Sequence, residues 1–231
     1  MRSLHRDSIP RYRWLWAEFR DRQFSVLDVG CGNHGPTETK HYFPNCEYSG
    51  IDVSADYNND EADLRAMKRF WEMDLTRLEF TAIPNRHFDA LVMNHVVEHL
   101  YNGDKVIEGL LPKLKPGGIV YIEFPGPRSL HMPGFLNFHD DGTHVRMFTA
   151  SEVSGILRRC GCSIEAAGTR RVWTRILLTP VTMAYHRWRR GRFLGGALWD
   201  VAGFAEFVLG RCGRTELAGV EPRRDHSRRR R

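Results

Sequence analysis

The feature that most constrains the fold of this chain is a glycine-rich turn directly after an apolar run of strand length. Residues Val26–Gly35 read VLDVGCGNHG, so three glycines follow the strand predicted at Ser25–Val29. Glycine lets the backbone turn sharply and approach a neighbouring group closely. Pro36 is suited to the start of a helix, because its missing N–H would be unpaired there in any case. A strand, a glycine turn and a helix in this order predict the first unit of a βαβ sheet.

Apolar runs of strand length alternate with amphipathic segments of helical length after this turn. Helices are predicted at Asp60–Phe70, Val106–Leu114 and Ala150–Arg159. Further strands are predicted at Glu47–Val53, Trp71–Leu75, His87–Met93, Ile119–Phe124, Ser163–Ala167 and Val172–Leu178. This alternation predicts an α/β fold, in which a seven-stranded, mostly parallel sheet has helices on both faces. The last two strands are expected to form an antiparallel pair.

The pattern changes beyond Pro180. The segment Phe193–Leu209 is apolar at helical spacing, carries only the charges of Asp200 and Glu206, and is flanked by arginines. Four roles stay open for such a helix: packing on its own domain, lying on an anionic membrane surface, covering a ligand site, and pairing with another subunit. The final RRDHSRRRR is typical of a disordered tail. We predict a main domain at 1–180, a helical extension at 181–222 and a basic tail at 223–231.

The net charge of +6 is concentrated at the C-terminal end. Residues 172–231 carry a net charge of +8, so the first 171 residues carry −2. A nucleic-acid groove across the main domain would need a positive surface, and we expect no nucleic-acid partner. No apolar stretch is long enough to span a bilayer, and the charged N-terminus lacks the apolar region of a signal peptide. A cytoplasmic protein is expected, with peripheral membrane contact through the C-terminal extension as an open alternative.

The five cysteines are odd in number and show no repeated C-x-x-C spacing. Disulfide frameworks and cysteine zinc sites are recognised by an even count or by such paired spacings. We therefore expect reduced, mostly buried thiols at Cys31, Cys46, Cys160, Cys162 and Cys212.

Two ligands compete for the glycine turn. The spelling G-x-G-x-x-G is that of dinucleotide-binding proteins, and an acid about 20 residues later binds ribose hydroxyls there. Asp52, at the end of the second predicted strand, suits either ligand. Asp28 distinguishes them, because an anion beside the turn would repel a pyrophosphate. The same anion suits a cofactor that carries an ammonium and a sulfonium charge.

The stretch VLDVGCG resembles motif I of the class I S-adenosylmethionine-dependent methyltransferases. The blocks GIDVS, EMDL, FDALVMNHVVEHL and LKPGGIVYIEFP resemble the later motifs of that family, in order, over residues 25–167. One departure is that two residues, Asn33 and His34, precede Gly35, where the family usually has one residue before its third glycine. Either the turn is one residue longer, or Asn33, which tolerates a positive φ, takes the usual backbone role. The resemblance implies a Rossmann-like fold and S-adenosylmethionine as the cofactor.

The resemblance also implies cofactor contacts at the carboxyl ends of the strands. Asp52 would bind the ribose hydroxyls, Asp74 the adenine amino group, and Asn94 would lie beside the sulfonium. The full set of expected contacts is Asp28, Gly30, Cys31, Gly32, Asp52, Val53, Asp74, Leu75 and Asn94.

Histidines and acids cluster after the fourth strand and in the loop that follows the fifth. If a helix begins near His95, then His95, Glu98 and His99 share one face, and His144 comes from the loop. One hypothesis makes His99 or His144 a general base. A second hypothesis places a divalent metal on these four residues, in an arrangement that resembles the E-x-x-E-H…H set of certain 2′-O-methyltransferases of small RNAs and ubiquinone-pathway O-methyltransferases. A third makes Glu98 and His99 structural. We take His95, His99 and His144 as catalytic candidates and assign no metal.

The block HDDGTHVRMFTASEV resembles a segment of methyltransferases of type 11 and type 23 that tailor sugars, polysaccharides and secondary metabolites in bacteria. This resemblance implies O-methylation of a hydroxylated small molecule or glycan. Arg146 within the block is a candidate for holding an anionic group of the acceptor, and a surface arginine without a ligand role is the alternative. Two alternatives remain: an NAD-binding oxidoreductase, and a non-catalytic binding module that keeps the methyltransferase fold.

Overall fold

The computed structural model describes residues 9–132, 137–191 and 198–213. Its helices are α1 Pro10–Phe19, α2 Gly35–Tyr42, α3 Glu61–Ala66, α4 Gly103–Leu110, α5 Ala150–Arg159, α6 Trp173–Arg190 and α7 Trp199–Ala202. Its strands are β1 Ser25–Val29, β2 Glu47–Asp52, β3 Arg69–Glu72, β4 Phe88–Asn94, β5 Leu114–Pro125, β6 Cys162–Thr169 and β7 Ala205–Cys212. The basic tail expected at 223–231 lies outside the described residues.

The seven strands form one sheet in the order β3-β2-β1-β4-β5-β7-β6. The pairs among β1 to β5 are parallel, whereas β7 pairs antiparallel with both β5 and β6. Two buried clusters cover the two faces; one contains Val106 and Leu157 of α4 and α5, and the other contains Tyr12 and Phe19 of α1. These observations confirm the predicted α/β, mostly parallel, Rossmann-like sheet. The helix α1 had no counterpart among the sequence predictions.

The C-terminal region differs from the expected one. The antiparallel pair exists, but it consists of β6 and β7, while residues expected to form the strand Val172–Leu178 begin helix α6 instead. Within the expected helix Phe193–Leu209, the described residues form the short α7 and most of β7. A strand buried on both faces is a continuous apolar run, and periodicity alone cannot tell it from a buried helix. The sheet therefore continues beyond residue 180.

Cys162 and Cys212 form a disulfide, contrary to the expectation of reduced thiols at these two positions. The two residues lie directly opposite each other in the register of β6 and β7. A separation of 50 residues hid this pairing, because β7 was expected to be helical. Cys31 and Cys46 are buried thiols as expected, and the thiol of Cys160 is exposed.

Within the described ranges, no helix has both the length and the apolar character needed to cross a bilayer.

Candidate functional site

A cavity of about 920 Å³ opens where the carboxyl ends of β1, β2, β4 and β5 meet. In open α/β sheets this edge is the usual place for a ligand. Ten of the twelve predicted site residues line it: Gly30, Gly32, Asp52, Val53, Asp74, Leu75, Asn94, His95, His99 and His144. The remaining two, Asp28 and Cys31, are buried beside the cavity rather than in its wall.

The glycine turn is held against the loop that follows β2. Gly30 has a φ of 72°, and a Cβ added there would lie 2.2 Å from a methyl carbon of Val96. A Cβ on Gly32 would lie 2.6 Å from the carbonyl oxygen of Tyr57, so this position is also restricted to glycine. Asn33 and His34 both have positive φ values, 58° and 59°, immediately before α2. Asn33 therefore adopts the left-handed backbone conformation that asparagine tolerates, and His34 adopts it as well.

The carboxylate of Asp52 is fixed in the cavity wall. One oxygen accepts a hydrogen bond from the N–H of Val53 at 2.8 Å, and the other accepts one from the N–H of Gly32 at 3.1 Å. Burial raises the pKa of Asp52, and these two N–H groups work against that shift. The glycine turn and the end of β2 are thus tied together through one side chain.

Asp28 lies buried in β1, two residues before Gly30 of the turn. Its side chain is 3% exposed, and the Tyr48 hydroxyl donates to Oδ2 at 2.6 Å. Burial raises the pKa of Asp28 to about 6, although the nearby positive charge of Arg11 favours the ionised form. The other oxygen, Oδ1, has no hydrogen-bond partner among the described residues. An unpaired buried acceptor at this place suits a cationic ligand and disfavours a pyrophosphate.

Asp74 and Asn94 stand at the ends of two other strands. Asp74 accepts hydrogen bonds from the N–H and hydroxyl of Thr76, which lower its pKa. The short 3₁₀ turn Leu75–Arg77 begins at this cap, so the strand expected to reach Leu75 ends at Glu72. The Oδ1 atom of Asn94 is buried without a partner among the described residues, beside the cavity.

His95 is held between two carboxylates. Its Nδ1 lies 3.2 Å from Oε1 of Glu98, and its Nε2 lies 3.4 Å from Oε1 of Glu123. Burial would lower the pKa of His95, but the hydrogen bonds to Glu123 and Glu98 raise it to about 9. The imidazole is therefore protonated at neutral pH and donates from both nitrogens. In this state the catalytic candidate His95 has no ring nitrogen free to accept a proton, and it positions the two acids.

A buried chain of charges extends from His95 into the C-terminal elements. Burial would raise the pKa of Glu123, yet His95 and Arg170 lower it to about 2. The Arg170 guanidinium donates to Glu123 at 2.9 Å, and its Nε lies 3.2 Å from a carboxylate oxygen of Asp200. The Tyr121 hydroxyl donates to the second oxygen of Glu123 at 2.5 Å. The opposite charges alternate along the chain, which compensates for their burial.

The helix expected to begin near His95 is absent from this part of the described chain. His95 has a φ of 52°, the segment Val97–His99 forms a 3₁₀ turn, and α4 begins at Gly103. The assumed common helix face of His95 and His99 was therefore wrong. The left-handed residue sends His95 toward β5, whereas His99 contacts the loop after β5.

His99 and His144 lie side by side, with ring centres 4.8 Å apart. Nδ1 of His144 lies 2.7 Å from the carbonyl oxygen of Phe138, which can only accept, so Nδ1 carries the hydrogen. The Thr143 hydroxyl gives its hydrogen to Asp141, so Nδ1 of His99 donates to that hydroxyl at 2.9 Å. In the neutral form, both imidazoles therefore have an unprotonated Nε2.

Glu98 lies next to these two imidazoles. Its Oε2 is buried and has no partner among the described residues. One ligand atom from each of Glu98, His99 and His144 lies within 4.8 Å of the others. Three of the four residues of the metal hypothesis thus come together, while His95 is engaged elsewhere. The geometry is compatible with proton transfer and with a divalent cation.

Arg146 already has anionic partners. It pairs with Asp104 at 3.0 Å and Glu152 at 2.7 Å, and its guanidinium lies over the ring of Phe148. These contacts give it a structural role, the alternative to contact with an anionic acceptor group.

Several cavity residues were missed from the sequence. Glu123 is a lone acid in the apolar run IVYIEF, and that pattern could have identified it. No local pattern marks Arg11, Tyr57, Arg170 or Trp199, which reach the cavity through tertiary packing.

The groups in the cavity fit S-adenosylmethionine, the cofactor implied by the sequence resemblance. The closely packed glycine turn leaves room for backbone approach, and Asp52 offers an oriented acceptor pair for ribose hydroxyls. The orphaned acceptors on Asp28 and Asn94 suit a cofactor with ammonium and sulfonium groups.

Comparisons with known proteins identify the same fold. A family model described as "Methyltransferase domain" matches residues 3–167. An S-adenosylmethionine-dependent methyltransferase from Mesorhizobium loti is 17% identical with a TM-score of 0.61, covering 89% of this chain and 99% of that one. One from Archaeoglobus fulgidus is 19% identical with a TM-score of 0.57, covering 91% and 94%.

A third solved structure, from Burkholderia thailandensis, is 1,6-didemethyltoxoflavin-N1-methyltransferase with 1,6-didemethyltoxoflavin and S-adenosylhomocysteine bound. It is 16% identical with a TM-score of 0.56, and the match covers 89% of this chain and 78% of that one. None of these matches favours the oxidoreductase alternative.

Among curated proteins, an uncharacterized protein of Synechococcus sp. is 29% identical over 130 residues. That match covers 49% of this chain and only 31% of the relative's length. The family model, in contrast, spans well over half of the chain. The chain therefore belongs to the methyltransferase-domain family, and its fold is that of the S-adenosylmethionine-dependent methyltransferases described above.

Proposed function

We propose that this protein transfers the methyl group of S-adenosylmethionine to a hydroxyl group of a small molecule or glycan. The observation that carries the proposal is that two chemically different sets of residues line one cavity. Gly30, Asp52 and Asp74, which end or follow β1 to β3, form the end suited to the cofactor, and His99 and His144, from the segments after β4 and β5, form the second end.

The second end has a polar wall that suits a hydroxylated acceptor. It contains Asn137, Asp140, Asp141 and Thr143 in addition to the two histidines. Carboxylates, an amide and a hydroxyl can each hydrogen-bond to acceptor hydroxyls. A flat hydrophobic acceptor would leave these groups unpaired, at a cost in binding free energy.

His144 is the proposed general base. The acceptor hydroxyl would give its proton to Nε2 of His144, which would leave its oxygen able to take the methyl group that S-adenosylmethionine, held at Gly30, Asp52 and Asp74, would supply with S-adenosylhomocysteine as the leaving group. The bond from Nδ1 to Phe138 fixes the required tautomer and the ring orientation. His99 packs beside it and restricts its motion. The cofactor supplies the electrophilic methyl group, and the protein mainly aligns the two partners.

The test is release of S-adenosylhomocysteine by the purified protein with a panel of sugars, glycans and phenolic metabolites. His144→Asn keeps a donor for Phe138 and removes Nε2, so we expect kcat to fall by about 10²–10⁴-fold while cofactor affinity is retained. His139→Asn, an exposed histidine of the same loop, is the matched control and should leave kcat unchanged. Cofactor binding without turnover on any acceptor would contradict the proposal and favour a binding module.

Chelation separates the two chemical hypotheses for the histidine pair. If His144 acts as a base, activity persists in EDTA. Activity that EDTA abolishes and Mg²⁺, Mn²⁺ or Zn²⁺ restores would contradict the base and favour a metal on Glu98, His99 and His144.

A further inference from the structure

Helix α6 presents a stripe of large apolar side chains to the outside of the protein. Trp173, Leu177, Val181, Tyr185 and Trp188, called here the α6 stripe, are exposed by 68%, 75%, 67%, 55% and 80%. Their spacing of four, four, four and three residues places them on one side of the helix. A row of this length is far more than the scattered apolar residues normal on a protein surface, and it indicates an interaction surface.

The helix is attached to the protein by its opposite side. Thr179 is 7% exposed and lies about 160° around the helix from Val181, at 100° per residue. At the start of the helix, Arg175 lies 3.7 Å from the buried carboxylate of Asp200. The orientation of α6 is therefore set by contacts on this opposite side, and the stripe faces solvent.

The charge around the stripe is entirely positive within α6. Its 18 residues contain no acid and four arginines, of which Arg175 faces Asp200. Arg187 and Arg189 are the chain neighbours of Trp188, so they leave the helix about 100° to either side of that indole. Long arginine side chains at these flanks can keep their charges in the headgroup region while the stripe is buried.

These features together favour a lipid bilayer as the partner of the α6 stripe. The stripe has aliphatic side chains at its centre and tryptophans at both ends, and aromatic residues favour the boundary between water and lipid. A second copy packed on the same face would bring like charges together. We propose that α6 lies flat on the surface of an anionic phospholipid bilayer, with the α6 stripe buried at the level of the headgroups.

This assignment corrects the location considered from the sequence. Phe193–Leu209 was the segment weighed for membrane contact, and its described part instead supplies α7 and β7. Arg175 and Trp199 line the cavity next to the start of α6. A bilayer under α6 would therefore lie near the cavity. If the proposed function holds, the acceptor would then be a hydroxylated group carried by a lipid. This point alone rests on the proposed function.

Co-sedimentation of the whole chain with vesicles tests the proposal. We expect about hundredfold tighter binding to phosphatidylcholine vesicles containing phosphatidylglycerol than to phosphatidylcholine alone, and weaker binding as NaCl is raised. The double variant L177D/V181D should lower affinity for the anionic vesicles by at least tenfold. Leu64→Asp is the matched control, because Leu64 is a 42% exposed leucine on α3, and it should bind vesicles like the unaltered chain.

Calorimetric titration with S-adenosylhomocysteine is run on every variant. Equal affinities show that the double variant is folded, and this readout reports on the cofactor site independently of the membrane. Absence of vesicle binding by the unaltered chain would overturn the proposal, as would unchanged binding by L177D/V181D. A dimer that the double variant converts to monomer, without vesicle binding, would assign the stripe to a second copy and overturn it equally.

Discussion

Site residues at the two ends of the sheet differ in how far along the chain they lie from the strands that position them. Along β1 to β4, the residues of the cofactor end follow their strands within a few positions, as Gly30 follows β1 and Asp74 follows β3. At the other end, Arg170 reaches Glu123, with Asp200 behind it, only because β7 pairs with β5 and β6 pairs with β7. Local motifs therefore describe the cofactor end, while long-range pairing builds the support for the acceptor end.

The largest expected effect concerns the disulfide between β6 and β7, at the end of the sheet far from the glycine turn. We expect Cys162→Ser to lower the free energy of unfolding by about 2–4 kcal/mol, because the disulfide closes a loop of 50 residues in the unfolded chain. Urea unfolding under oxidising conditions measures this loss. Cys160→Ser, the neighbouring free thiol, should change little. Equal stability of the two variants would show that the cross-strand bond contributes nothing in solution.

A second effect concerns the cofactor end. Asp52→Ala removes the acceptor pair for ribose hydroxyls, and we expect about a hundredfold loss of affinity for S-adenosylmethionine by calorimetry. Thermal unfolding without cofactor should shift by only a few degrees, since Asp52 is half-buried at the cavity wall. Asp56→Ala, an exposed acid in the next loop, serves as the control. Unchanged affinity in Asp52→Ala would show that Asp52, and the glycine turn it holds, do not contribute to cofactor binding.

The smallest expected effect is a pH dependence of stability that comes from His95, which lies after β4 between the two ends of the sheet. The folded-state pKa of His95 lies at about 9, above its ordinary value of 6.5, so its stabilisation is complete below pH 6.5 and disappears as pH rises through 9. We expect the free energy of unfolding to fall by about 1–2 kcal/mol between pH 7 and pH 9.

His95→Gln should remove that slope, and the comparison is unaffected by Asp28, whose own raised pKa of about 6 acts at lower pH. His87→Gln, an exposed histidine outside the cavity, should retain the slope and is the control. A slope that persists in His95→Gln would place the titrating group elsewhere.

The same contrast explains what the sequence could predict. The glycine turn, Asp52 and the parallel strands follow from short patterns, because strand, turn and helix each have local preferences. The pairing of Cys162 with Cys212 and the contact of Arg170 with Glu123 depend on which strand lies beside which. That choice is made by burial on both faces of β7, where the apolar pattern fits a helix as well as a strand.

The left-handed turn at His95 was also outside the reach of sequence patterns. Non-glycine residues rarely adopt a positive φ, and nothing local marks this histidine. The carboxylates of Glu98 and Glu123, which form ion pairs with the two ring nitrogens, stabilise the unusual conformation. His95, His99 and His144 all line the cavity, but the common helix face assumed for His95 and His99 was wrong.

The position of β7 has a consequence for how the chain is made. A ribosome releases β5 and β6 long before β7, yet β7 is the strand that lies between them. During synthesis, β5 therefore has an open edge, and β6 has no neighbour in the sheet until residue 212 has emerged. Open strand edges are templates for intermolecular association. A nascent chain stopped before Ala205 should accordingly be a client for chaperones, whereas a few further residues close the sheet.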